Sequence, residues 1–174
     1  MKKNLHHFLD RIFIEGKRVS IDSIRVFNPK KVKFSIKNVF KCQFGCPMYN
    51  KRLSCPPFIP SYTEFKKLFK SYRLGLLISF NLEANNEREF VLKKREIEEF
   101  LLISEKILLP QFHFAFSLFP GSCELCEVCE FEKSGKCPKT EKVRPSISGT
   151  GLDINSIHKI NFKENTIYSI ILVF

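Results

Sequence analysis

Cys123, Cys126 and Cys129 stand at a strict three-residue step, and Cys137 follows ahead of Pro138. A Cys-x-x-Cys-x-x-Cys loop can wrap one side of an iron–sulfur cubane, presenting three thiolates to three irons. A later Cys-Pro then supplies a fourth ligand or, in two-cluster ferredoxins, serves the other cluster. Structural zinc more commonly takes its cysteines as two separated Cys-x-x-Cys pairs around one tetrahedron. The spacing therefore points to [4Fe–4S] chemistry, with zinc as the alternative. A chance grouping of core cysteines does not explain the loop, because Glu124, Glu127, Glu130, Glu132 and Lys133 make it too polar for a core.

Three further cysteines, Cys42, Cys46 and Cys55, follow a Cys-x3-Cys-x8-Cys spacing. Gly45 and four prolines mark the stretch 42–60 as a loop. Its spacing differs from the Cys-x3-Cys-x2-Cys of radical S-adenosylmethionine enzymes. Cys46, Cys55 and Cys137 each precede a proline, which fixes φ and leaves no N–H beside the ligand. Seven thiols divide as four plus three. The simplest assignment gives Cys123, Cys126, Cys129 and Cys137 one fully ligated cluster. Cys42, Cys46 and Cys55 then hold a second centre with an open position, or with a fourth ligand from a His, an Asp or a partner chain. One or two [4Fe–4S] clusters are expected, and the spacing alone leaves open whether Cys137 crosses to the other group.

Charge and composition narrow the class. Lys and Arg number 29 against 18 Asp and Glu, a formal net charge of +11 that counts the thiols as neutral. A [4Fe–4S] core with four thiolates carries about −2, so part of this excess would balance an anionic cofactor. The lysine pairs Lys30-Lys31, Lys66-Lys67 and Lys93-Lys94 are scattered and form no continuous stripe, which argues against a zinc-stabilised nucleic-acid surface. No run reaches about 18 uncharged apolar residues, so no membrane span is expected. Asp10 and Arg11 interrupt the only apolar start, and no export signal is read there. Seven cysteines without such a signal suit a reducing, cytoplasmic compartment.

Elements must bring the two groups together. A single α/β domain over 1–174 is expected: a mixed sheet with flanking helices and two cysteine-rich loops, about 42–60 and 121–153, converging at one edge. Leu5, Phe8, Leu9, Ile12 and Phe13 have helical spacing up to Gly16, with His6-His7 at a solvated start. Residues 18–27 read as a strand, and Val32, Phe34, Ile36, Val39 and Phe40 as an extended lead into Cys42. A capped amphipathic helix follows over 62–72, with Ser61 or Thr63 as cap, then a buried strand at Leu74–Phe80. A long helix runs from Asn85 or Asn86 to about Leu109, with Phe90, Ile97, Phe100, Leu101, Ser104, Ile107 and Leu108 inward. Phe112–Phe119 reads as an aromatic strand with His113 packed in the core. Strand, helix, strand suggests a crossover between neighbouring parallel strands. Residues 167–174 form a last strand.

Two phrases resemble a known family. One is the Cys-x3-Cys loop ending in Ser54-Cys55-Pro56-Pro57. The other is Gly121-Ser-Cys-x2-Cys-x2-Cys-x7-Cys-Pro, followed by Arg144-Pro145-Ser146 and Gly151-Leu-Asp153. Over roughly residues 20 to 174 they resemble the predicted metal-binding proteins of anaerobic bacteria and archaea catalogued as domain of unknown function 2284. The resemblance implies cysteine-ligated metal, iron–sulfur rather than zinc, in an anaerobe's cytoplasm; it supplies no reaction. Such proteins often carry Trp before the Ser-Cys-Pro-Pro phrase, where this chain has Arg52-Leu53. The first functional expectation is an electron-transfer protein serving a redox partner. The second is an enzyme using the open centre at Cys42, Cys46 and Cys55 on a small anionic substrate, with Arg52, Arg144, Ser146 and Asp153 as contacts. Asp153 has a plainer reading as a turn or helix cap.

Overall fold

The run Gly75–Asn81 is uncharged and its first six residues are buried, the pattern of a strand covered on both faces. A computed structural model, which describes residues 2–160 and 165–174, places it inside a four-stranded sheet. In chain order the strands are β1 (Ile21–Phe27), β2 (Lys33–Phe34), β3 (Gly75–Asn81), β4 (Phe116–Leu118), β5 (Leu152–Asp153) and β6 (Thr166–Leu172). The sheet order is β1-β3-β6-β4, and β2 pairs with β5 separately. Every ladder is antiparallel. Parallel pairing among the described residues is confined to an isolated bridge between Phe119 and Ser146.

The α/β class stands, but the crossover is split. β3 and β4 run the same way and are joined by α4 (Glu87–Leu108), yet β6 lies between them and pairs with both. The last apolar run is the better central strand, since Ser169–Leu172 are all buried. β4 keeps only three residues because the chain before it turns: Phe114 is 81% exposed, and the expected core residue His113 is exposed in the same turn.

Two cores lie on the two faces. α1 (Lys2–Gly16) and α4 set Phe8, Ile12, Ile97, Phe100 and Leu101 against Leu76, Ile78 and Phe80. On the other face α3 (Tyr62–Ser71) sets Phe65 and Phe69 against Leu77, Ile170 and Leu172. α3 starts at a full capping box between Ser61 and Glu64, and α4 at Asn86, both as the sequence signals indicate. On the outer face of α4, Glu89 and Lys93 form an i,i+4 pair at 2.8 Å. Two expectations fail locally. Phe90 is 40% exposed, beside Leu82 and Ile167 at the end of the sheet. Phe13 is 54% exposed, and Leu5 has its side chain outside the described residues. His6 and His7 face solvent.

The main departure concerns Cys42. The segment expected to extend into it is the helix α2 (Ile36–Gly45), N-capped by Ser35, with Cys46 as C-cap. Ile36, Val39 and Phe40 satisfy helical spacing as well as strand spacing, and the Ser35 hydroxyl, accepting from Lys37 N–H, decides for the helix. The loop proper starts at Cys46.

Candidate metal centre

All seven cysteines are free thiols: Cys55 buried, Cys46 exposed and the rest half-buried. The two groups meet through the backbone of three segments. Phe119 N–H donates to Pro145 O at 2.9 Å, Ile147 N–H to Phe119 O at 2.9 Å and Ser146 N–H to Ser54 O at 2.8 Å. Residues 145–147 therefore extend the edge beyond β4, and the stretch around Ser54 is fastened to them. The Ser54 hydroxyl accepts from Cys123 N–H at 2.8 Å and lies 3.7 Å from Cys55 Sγ. One fully buried serine thus touches both cysteine groups. Phe58 and Phe131 add an edge-to-face contact at 4.8 Å. Gly149 makes the approach possible, since a Cβ there would stand 2.7 Å from Ser146 Oγ and 2.8 Å from Pro56 Cδ.

Cys123, Cys126, Cys129 and Cys137 line a single small cavity of about 20 Å³, walled by Leu53, Leu125, Phe131, Pro138 and Val143. Cys137 therefore lines the same cavity as the first three. Leu125, inside the Cys-x-x-Cys step, is 7% exposed and joins the main core, anchoring the loop. Arg52 also lines this cavity. Its Nη1 pairs with Glu132, while its Nε–H is buried with no partner among the described residues. Burial works against its charge, but Glu132 and the nearby Cys129 hold the guanidinium firmly protonated. Burial, then the neighbouring Glu98, pushes the Cys123 thiol up to about 12.

Cys42, Cys46 and Cys55 lie within electrostatic reach of one another. Burial, and then repulsion from Cys46 and Cys55, pushes Cys42 up to about 11. Cys55 is raised by burial, against hydrogen bonds from Ser54 and Ser146. Cys42 and Cys46 open on a separate cavity of about 600 Å³ that Lys41, Asp153, Asn155 and Tyr168 share. Thiols raised by burial and mutual repulsion are groups that a bound cation would deprotonate. Among the described residues no three Cys, His, Asp or Glu side chains gather tightly enough to hold a single metal ion.

The other sequence candidates divide. Arg52 and Ser146 stand at the cysteines. Arg144 is instead engaged in the fold: it pairs with Glu105 at 2.6 Å and lies 5.7 Å over the Phe116 ring. Glu105 also accepts Ser117 N–H at 2.6 Å. Asp153 caps the turn Ile154–Ser156 through Asn155 N–H at 3.1 Å, its plainer reading, while also facing the larger cavity. Sequence reasoning missed the brace from α4. Lys94 donates to Ser122 O at 2.6 Å, Arg95 to Glu124 O at 2.7 Å, and Glu98 accepts Glu124 N–H at 2.7 Å. The signal was available: Lys94, Glu98 and Glu105 fall on the buried stripe with Ile97, Leu101 and Leu108, where a charge needs a partner.

The family model described as predicted metal-binding protein (DUF2284) matches residues 25–169. No curated protein and no solved structure matches the chain.

Two substitutions test this wiring. Ser54→Ala leaves the Cys123 N–H without its acceptor; the expected cost is roughly 1–3 kcal/mol in chemical denaturation, with faster hydrogen exchange at Cys123. Burial pushes Glu98 up to about 8 from 4.5, against the opposing pull of Lys94 and Glu124 N–H. Between those values the folded state holds a proton that the unfolded chain releases, so stability of the metal-free protein falls as pH rises through the window. Glu98→Gln, neutral throughout and still able to accept from Glu124, is expected to lose that decline when denaturation midpoints at the two ends of the window are compared.

Proposed function

The chain belongs to this family of predicted metal-binding proteins, and from that premise we propose that it is an iron–sulfur protein that transfers electrons to a redox partner. Cys123, Cys126, Cys129 and Cys137 would hold one [4Fe–4S] cluster, and Cys42, Cys46 and Cys55 a second centre. Such a cluster, when bound, supplies one-electron transfer. The observation that carries the reading is the donor set of the smaller cavity: four thiols and one buried, unpartnered Arg52 N–H. Metal-bound thiolates and the sulfides of a cluster can both accept from that donor, and a cluster offers the larger set of sulfur acceptors.

The remaining residues then have defined work. Leu125, Phe131 and Val143 keep water from the four-cysteine cavity, which favours a group whose charge is delocalised. Arg52 offsets thiolate charge and has a buried N–H to give. Lys94 and Arg95 add positive charge behind the loop while fixing Ser122 and Glu124. Ser54 holds the two groups in contact, the arrangement of a short relay.

A second reading has its own support. Cys42 and Cys46 open on the larger cavity beside Lys41, Asn155 and Tyr168. With only three cysteines, a centre there keeps a position for a small anionic substrate, as open catalytic sites do. In this reading Lys41 attracts the anion and Asp153 shapes the wall.

Anaerobic preparation is expected to give a coloured protein that bleaches with dithionite, with iron and acid-labile sulfide in about equal amounts. Cys137→Ser should remove one EPR signal and Cys55→Ser the other; a colourless protein holding zinc without sulfide overturns the proposal. Arg52→Gln removes a donor and a positive charge. Both stabilise the reduced, more negative state, so the midpoint potential is expected to fall by tens of millivolts, where about 59 mV is a tenfold change for one electron. Arg52→Lys should restore only part of the shift.

A further inference from the structure

α2 has no buried residue along its whole length. Its inward side is tied down, with Asn38 donating to Leu152 O at 2.7 Å and Cys42 half-buried. Its outward side carries Ile36, Phe40 and Phe44, which are 48%, 52% and 76% exposed. The two phenyl rings lie 5.8 Å apart, and with Ile36 they form an apolar depression edged by Lys37 and Lys41. Single exposed phenylalanines are ordinary; a row at i, i+4 and i+8 is an interaction surface.

The charge around this row is one-sided. From Ser23 to Thr63 the chain holds no Asp or Glu but eight Lys or Arg. An apolar centre with a basic rim complements an acidic protein with an apolar patch, by steering at the rim and burial at the centre. A nucleic acid would use the basic rim but would leave the isoleucine and both rings without matched apolar surface. Cys42 lies on the same helix, across a width of about 10 Å.

We infer that this face of α2 docks an acidic electron-carrier protein, an inference that rests on the iron–sulfur reading above. One electron leaves the reduced carrier, which is oxidised, and the metal centre is reduced; no bond or proton changes hands. Ile36, Phe40 and Phe44 form the apolar contact, and Lys37 and Lys41 set its approach.

The test uses the full chain prepared anaerobically, with a small acidic [2Fe–2S] ferredoxin as probe. Binding is measured by calorimetry and reduction by stopped-flow absorbance over a salt series. Phe44→Asp is expected to weaken binding at least about tenfold, as loss of an aromatic anchor does. Lys37→Glu with Lys41→Glu should slow association and flatten its salt dependence. Phe13→Asp, an exposed apolar residue on α1, should change neither. Iron content and EPR spectra should match the parent in Phe44→Asp and Phe13→Asp. Equal binding by Phe44→Asp and the parent overturns the inference. So does self-association in sedimentation, or capture by phosphatidylglycerol vesicles, that Phe44→Asp abolishes while ferredoxin binding persists. A parent protein without iron overturns the underlying cluster reading instead, and the two failures are told apart by metal analysis.

Discussion

The arrangement depends on one serine hydroxyl. Ser54 lies between Cys55 and the amide of Cys123, residues far apart in the chain. Its own carbonyl accepts from Ser146, which is fastened to the end of β4. Three segments therefore converge on a buried polar group that has its partners. A serine suits the position because its oxygen can accept from an amide while meeting a thiol, in the volume of a small side chain. A larger residue would part the loops, and alanine would bury a donor without an acceptor.

Around this point the protein uses charge in an unusual place. α4 turns Lys94, Glu98 and Glu105 inward with its aliphatic stripe. Each meets a segment near the cysteines or the strand before them: Lys94 at Ser122, Glu98 at Glu124, Glu105 at Ser117 and Arg144. Buried ionic groups rarely add much net stability, since desolvation offsets their attraction, but they penalise every misaligned arrangement. Here they specify where a loop with little regular structure must lie. The apolar half of α4 holds the sheet, and its polar half sets the loop.

Much of this was legible from residue type and spacing. The capping signals at Ser61 and Asn86 and the apolar β3 and β6 follow local rules that tertiary structure did not override. The failures share a cause. Ile36, Val39 and Phe40 fit two periodicities, and only the Ser35 cap chose between them. Phe112 to Phe119 looked like one strand because aromatic content favours strands, but β6 needed only three residues of it. The insertion of β6 between β3 and β4 is a long-range choice that no local pattern encodes. Arg144 looked available because its partner, Glu105, lies far off in the chain on the long helix, where only uncharged residues had been read as inward.

The position of β6 has a consequence for biogenesis. β4, which delivers the chain to Cys123, has β6 as its ladder partner, and β6 is translated after both cysteine groups. While a ribosome is still short of Thr166, the nascent polypeptide has exposed all its thiols but cannot yet complete the sheet that gathers them. Pairing of the strand that leads into Cys123 thus waits on synthesis of β6, so the lasting approach of the two cysteine groups comes late in the order set by the gene itself.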